Sequence, residues 1–171
     1  MKKNIILIGF MGVGKGTTAR ALAKAYNIYN IDTDDLIESK ENLKIKKIFA
    51  QEGEKYFRAL EQESADWIEK HVTGTIISCG GGFYKINNLS KLGTVVLLDA
   101  SYEWIYNRII TSENAEKKLK KRPLFTQPKE AKKLYRERET IYRSIADVII
   151  NVEDKCLDKV IKEIAKKAKI V

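Results

Sequence analysis

The 171-residue chain is poor in the residues that build scaffolds by cross-linking or kinking, with two cysteines, two prolines and one histidine. Cys79 and Cys156 stand far apart and form no C-x-x-C pair, which suits a reducing compartment. His71 follows a helical pattern without an acid–base partner near it in sequence, so it reads as a helix-end residue. Pro123 and Pro128 bracket one short segment, and no repeat or low-complexity linker divides the chain. Apolar runs such as Ile5–Gly14 and Val95–Leu98 fall short of the about 20 residues that a bilayer helix needs. The start imitates a leader, with Lys2-Lys3 before an apolar stretch and Ala21-Leu22-Ala23 downstream. Three glycines, Lys15 and Arg20 interrupt that pattern, so the expectation is a cytoplasmic protein.

With 44% apolar and 32% charged residues, the composition supports one substantial core and one domain over residues 1–171. The net charge of +9 is uneven. Residues 1–85 hold 13 basic and 11 acidic side chains, whereas residues 86–171 hold 19 and 12. The basic half therefore needs a partner: a polyanion, a small anionic ligand, or water.

Short apolar runs alternate with helical patterns, which predicts a parallel sheet with crossover helices. Strands are expected at Asn4–Gly9, Tyr29–Ile31, Thr75–Cys79, Thr94–Asp99 and Val148–Asn151. Helices are expected at Lys15–Tyr26, Asp34–Glu38, Ile45–Glu52, Glu54–His71, Tyr102–Ile110, Glu130–Ser144 and Leu157–Ala168. The run Lys117-Lys118-Leu119-Lys120-Lys121-Arg122 has no clear apolar stripe and reads as a mobile excursion. Trp67 and Trp104 read as packing residues, and Lys162, Lys166, Lys167 and Lys169 as the solvated face of the last helix.

The most informative stretch joins a strand to a helix: Gly9, four residues, then Gly14-Lys15. This is the pattern of a phosphate-binding loop, whose backbone N–H groups wrap phosphate oxygens while the lysine reaches the β- and γ-phosphates. The helix that follows adds its positive N-terminal end. One position departs from the pattern, because Gly16 stands where a Ser or Thr hydroxyl normally ligates Mg²⁺. Thr17 is the nearest hydroxyl, but one helical step turns it by roughly 100°, toward the α-phosphate. Asp32 and Asp34, in Ile31-Asp32-Thr33-Asp34-Asp35 at the end of the second strand, supply carboxylates on the ligand face of the sheet. Capping of the next helix by Asp32 or Thr33 is a compatible role.

These motifs together resemble shikimate kinase over nearly the whole chain. Gly9-Phe10-Met11-Gly12-Val13-Gly14-Lys15 is similar to that family's G-x-M-G-x-G-K, and Asp32-Thr33-Asp34 to its D-[ST]-D. Ile48 to Glu61 matches I-F-x-x-x-G-E-x-x-F-R-x-x-E, and Ser78-Cys79-Gly80-Gly81-Gly82 resembles S-T-G-G-G with cysteine for threonine. Arg122-Pro123-Leu124 resembles the R-P-L of a lid, and Arg138 to Tyr142 its R-x-x-x-Y. The resemblance implies an α/β three-layer P-loop kinase fold with a five-stranded parallel sheet and a mobile lid near 112–126. It implies ATP-dependent phosphorylation of the 3-hydroxyl of shikimate with Mg²⁺ as cofactor, by a monomer without nucleic-acid or membrane partners.

Residue by residue, it implies that Gly12, Val13, Gly14, Lys15, Gly16, Thr17, Arg108 and Arg122 bind ATP. Arg58 and Arg138 clamp a carboxylate, as guanidinium forks can. Asp34 holds or deprotonates the attacking hydroxyl, Glu61 braces Arg58, and Gly80, Gly81, Gly82, Phe49 and Phe57 shape the substrate pocket within about 32–61 and the 80–82 turn. Lys15, Asp32, Asp34 and Arg122 form the catalytic set, with Mg²⁺ held by Asp32 through water and, less directly, by Thr17. The adenine loop near Asn151–Lys155 lacks the family's frequent proline. Two other readings are a nucleoside monophosphate kinase, from Gly14-Lys15-Gly16-Thr17, and a nucleic-acid binder, from the charge. Gluconate kinase shares the loop but not the rest.

Overall fold

The computed structural model describes residues 3–120 and 122–170; the leader-like Lys2 and the lid charge Lys121 lie outside the described residues. Five strands form one all-parallel sheet in the order β2-β3-β1-β4-β5. They are β1 (Asn4–Ile8), β2 (Asn30–Asp32), β3 (Ile76–Ser78), β4 (Gly93–Asp99) and β5 (Val148–Asn151). A central parallel strand is covered on both faces, which is why β1 reads as an unbroken apolar run after Asn4 and is buried at every position.

The helices are α1 (Lys15–Tyr26), α2 (Thr33–Glu41), α3 (Ile45–His71), α4 (Leu89–Leu92), α5 (Tyr102–Ile110), α6 (Ala115–Lys120), α7 (Pro128–Ile145) and α8 (Leu157–Lys167). The two helices expected around Gly53 are one element broken there, where φ is 80° and ψ 177°. Short 3-10 turns at Phe83–Lys85 and Pro123–Thr126 complete the chain. Among the described residues no helix is long and apolar enough to cross a membrane.

Within the segment read as a mobile excursion lies a short helix that the sequence reading did not place. Residues 115–120 are helical, Leu119 packs against the main core, and Phe125 is fully buried against Phe10 and Tyr102. Two widely spaced apolar anchors, too few for a periodic stripe, hold this basic segment down. The single turn α4 also escaped the sequence reading, since four residues carry no period.

Asn4 is the one polar residue of β1, buried beside the sheet. Its amide nitrogen donates to the Val72 and Leu92 carbonyls at 2.8 Å each, and its oxygen accepts from the Thr75 N–H at 3.0 Å. One side chain thus satisfies backbone groups at the end of α3, before β3 and before β4. Asn4→Ala leaves all three without that partner, and urea unfolding is expected to show a loss of about 3 kcal/mol.

Candidate active site

The site forms at the C-terminal ends of β1, β2 and β3, where an open parallel sheet leaves its ligand crevice. A cleft of about 960 Å³ is lined there by Gly12, Gly14, Lys15, Gly16, Thr17, Asp32, Asp34, Arg58, Gly80–Gly82, Arg122 and Arg138, among others. Gly14 enters α1 with φ 110°, a conformation that favours glycine. No side chain caps α1 and its first turn carries no acid, so the leading N–H groups are left for an anion. The Lys15 ammonium donates to the carbonyls of Gly9 (2.8 Å) and Phe10 (3.2 Å). Burial lowers its pKa to about 8, against the pull of Asp34 and Asp32, so it is cationic at neutral pH.

Val13 does not line this cleft. Its side chain is buried in the main core, its N–H donates to Phe10, and its carbonyl accepts from Arg108 at 2.8 Å. It belongs to the loop's scaffold, and Arg108, over the Trp104 ring, braces that scaffold.

Asp32 and Ser78 are register partners on β2 and β3. Asp32 Oδ1 caps α2 by accepting from the Asp34 and Asp35 N–H groups, while Oδ2 accepts from the Ser78 hydroxyl at 2.9 Å. The neighbouring Thr33, fully buried, accepts the Gly80 N–H at 2.9 Å. These bonds bring Asp34 against Gly80 so closely that a Cβ there would lie 2.5 Å from Oδ1. Burial, then the charge of Asp32, raises the Asp34 pKa to about 6.

Two arginines border the next residues of the same turn. Arg58 Nη1 donates to the buried Glu61 at 2.7 Å. Arg138 Nη1 donates to the Gly81 carbonyl at 3.0 Å, which also accepts from Tyr142 at 2.6 Å, and the Arg138 guanidinium lies over Tyr84. A side chain at Gly82 would collide with Arg58. Phe49 and Phe57 pack at 4.6 Å beside this end, Phe57 buried and Phe49 partly exposed. Two forks and a high-pKa carboxyl suit a small hydroxylated acid, opposite a loop suited to phosphates.

The sequence profile of a family described as shikimate kinase matches residues 11–169. The chain belongs to the shikimate kinase family. It is 41% identical over 172 residues to the shikimate kinase of Sulfurihydrogenibium sp. (strain YO3AOP1), covering 98% of each. Among solved structures it resembles shikimate kinase from Aquifex aeolicus vf5, at 35% identity and TM-score 0.78, covering 97% of this chain and 96% of that one. Shikimate kinase from Acinetobacter baumannii, solved in complex with shikimate, is 27% identical with TM-score 0.72, covering 96% and 91%. Membership makes the chain a kinase, a transferase of phosphoryl groups.

Ser78, Thr33 and Tyr142, which lie inside the family motifs but were not among the expected site residues, position the cleft. A polar residue at or just after the end of a strand is the sequence signal for Ser78 and Thr33. Tyr142 carries a hydroxyl that, once buried, needs a partner, and finds it in the Gly81 carbonyl.

Asp34 takes a proton more readily in the fold than in the unfolded chain, where its pKa is near 3.9. Between these values folding gains a proton, and stability falls as pH rises from about 4 to 6. Ionised Asp34 therefore costs the folded state about 3 kcal/mol above pH 6. Asp34→Asn is expected to be more stable than wild type by up to about 3 kcal/mol at pH 7, with no such gain below pH 4. An equal difference at both pH values in urea unfolding would refute the burial account.

Proposed function

We propose that the chain transfers the γ-phosphoryl group of ATP to the 3-hydroxyl of shikimate, giving shikimate 3-phosphate and ADP. The observation that carries this is that Arg58, Arg138 and Asp34 line one cleft together with the phosphate loop and meet the same 80–82 turn. The arginines take the ring carboxylate, and the glycines 80–82 let the ring lie against backbone. Asp34 accepts the proton of the attacking hydroxyl, a role suited to a carboxyl whose pKa is about 6. Lys15 and Arg122 neutralise charge on the transferring group, and the lid segment 112–126 covers the nucleotide and excludes water. Arg108 and the α1 N-terminus hold the nucleotide, with Thr17 nearest the α-phosphate. Every group named belongs to one chain, so residues 1–171 act as a monomeric catalytic unit.

The residues suit a hydrated Mg²⁺. A Cβ at Gly16 would meet Arg20 Nη1 at 3.4 Å, Asp32 Oδ2 at 3.8 Å and Ser78 Oγ at 3.9 Å, an oxygen-bearing recess without a direct ligand. Among the described residues no cluster of three or more His, Cys, Asp or Glu side chains is placed to chelate a metal. Asp32 and Ser78 would therefore hold an ion's waters, with nucleotide oxygens as its direct ligands. Bound Mg²⁺ would supply charge neutralisation at the phosphates.

Two measurements test this reading. ATP consumption should occur with shikimate and be absent or slight with quinate, gluconate and AMP; turnover confined to AMP would assign the chain to nucleotide phosphorylation instead. The recess at Gly16 leaves ordinary contact distances for a serine. Gly16→Ser is expected to tighten Mn²⁺ binding to the ADP complex by about tenfold, followed by electron paramagnetic resonance. Unchanged affinity would show that the missing hydroxyl has no metal role.

A further inference from the structure

Arg58 is engaged by glutamates on both of its donor edges. Nη1 meets Glu61, while Nε and Nη2 both donate to one oxygen of Glu54, at 3.1 and 2.9 Å. The two partners are unlike. The Glu61 side chain is 2% exposed and cannot leave without stranding a buried charge, whereas the Glu54 side chain is 61% exposed. Glu54 is the first residue after the break at Gly53 and lies one helical turn before Arg58. The edge it occupies, Nε with Nη2, is one that an incoming carboxylate takes with two parallel hydrogen bonds. Arg58 holds the Glu54 carboxyl below its ordinary pKa, so a true anion sits there at neutral pH.

We propose that Glu54 is an internal stand-in for the substrate's carboxylate: it occupies the exchangeable edge of Arg58 in the free enzyme and must be displaced by any carboxylate that binds. This rests on Arg58 being the carboxylate clamp. Glu54 is then a specificity-determining residue. Tethered one turn away, it competes at a high effective concentration, so a small anion with only a carboxylate gains little by replacing it. A ligand that also offers ring hydroxyls to Asp34 and a ring face to Gly80–Gly82 gains enough to evict it. Glu61 stays in place throughout and keeps the guanidinium aimed. The exchange transfers Arg58 from one carboxylate to another, so the pocket never holds a bare guanidinium and the net charge change on binding is carried by Glu54 swinging into water.

The test is direct calorimetric binding of two ligands to wild type and Glu54→Gln: shikimate, and the same ring triol without its carboxylate. Removing an exposed competing charge should tighten shikimate binding about two- to fivefold and leave the triol unchanged. Weaker shikimate binding by the variant would mean that Glu54 helps to aim Arg58 and would overturn the inference. An equal change for both ligands, or none for either, would overturn it as well. A wild type that binds no shikimate at all defeats the substrate assignment and this inference together, and is recognised because the variant is then silent too.

Discussion

A single carboxylate, that of Asp32, ties the catalytic end of the sheet together. One oxygen caps α2 and the other takes the Ser78 hydroxyl, so the start of a helix is fixed to the end of β3. Everything that follows depends on that tie. Asp34 stands in the first turn of α2, and its closeness to Gly80 exists because α2 starts where Asp32 makes it start. The buried Thr33 repeats the connection one residue on, through the Gly80 N–H. The cap of α2 and the placement of Asp34 in the cleft are thus one arrangement of the same atoms.

The electrostatics of the cleft are those of a site built around charges that it does not itself contain. Burial pulls the Lys15 ammonium down to about 8 and pushes Asp34 up to about 6, so each is held against its ionised form. A phosphate beside Lys15 would strengthen its cationic form, and a proton delivered to Asp34 would meet a carboxyl already inclined to take it. Burial also pushes the Cys79 thiol up, so the residue that replaces threonine at the strand end stays neutral between these groups. Part of the charge excess of the basic half is gathered at this cleft, which Arg108, Arg122 and Arg138 all line.

Features carried by spacing were legible in the sequence, and those carried by contact were not. Gly9 to Lys15 gave strand, loop and helix start, and the five strands were placed within a residue or two because buried parallel strands are continuous apolar runs. The break at Gly53 was also visible, as a glycine between two helical periods. By contrast, Val13 looked like a ligand residue because it sits within the motif, yet its N–H and carbonyl are spent on Phe10 and Arg108. The helix at 115–120 depends on where Leu119 and Phe125 land in three dimensions, which no local period encodes. The pairing of Arg58 with Glu54 as well as Glu61 was likewise a matter of reach, set by i,i+3 and i,i+4 neighbours competing for one guanidinium.

The apolar interior is in two parts. The main core runs along the sheet, while Ile37, Ile48, Phe57 and Leu60 form a separate small cluster between α2 and the two sides of the Gly53 break. Cooperativity follows packing, so the segment that presents Phe49, Glu54 and Arg58 is its own unit of local opening, with a free energy set by four side chains rather than by the sheet. The strands belong to the main core and do not share this cluster. Opening of α2 and the first turns of α3 would break only this small cluster and leave the main core packed, so local motion of this kind would reach the Arg58 end of the cleft without unfolding the sheet.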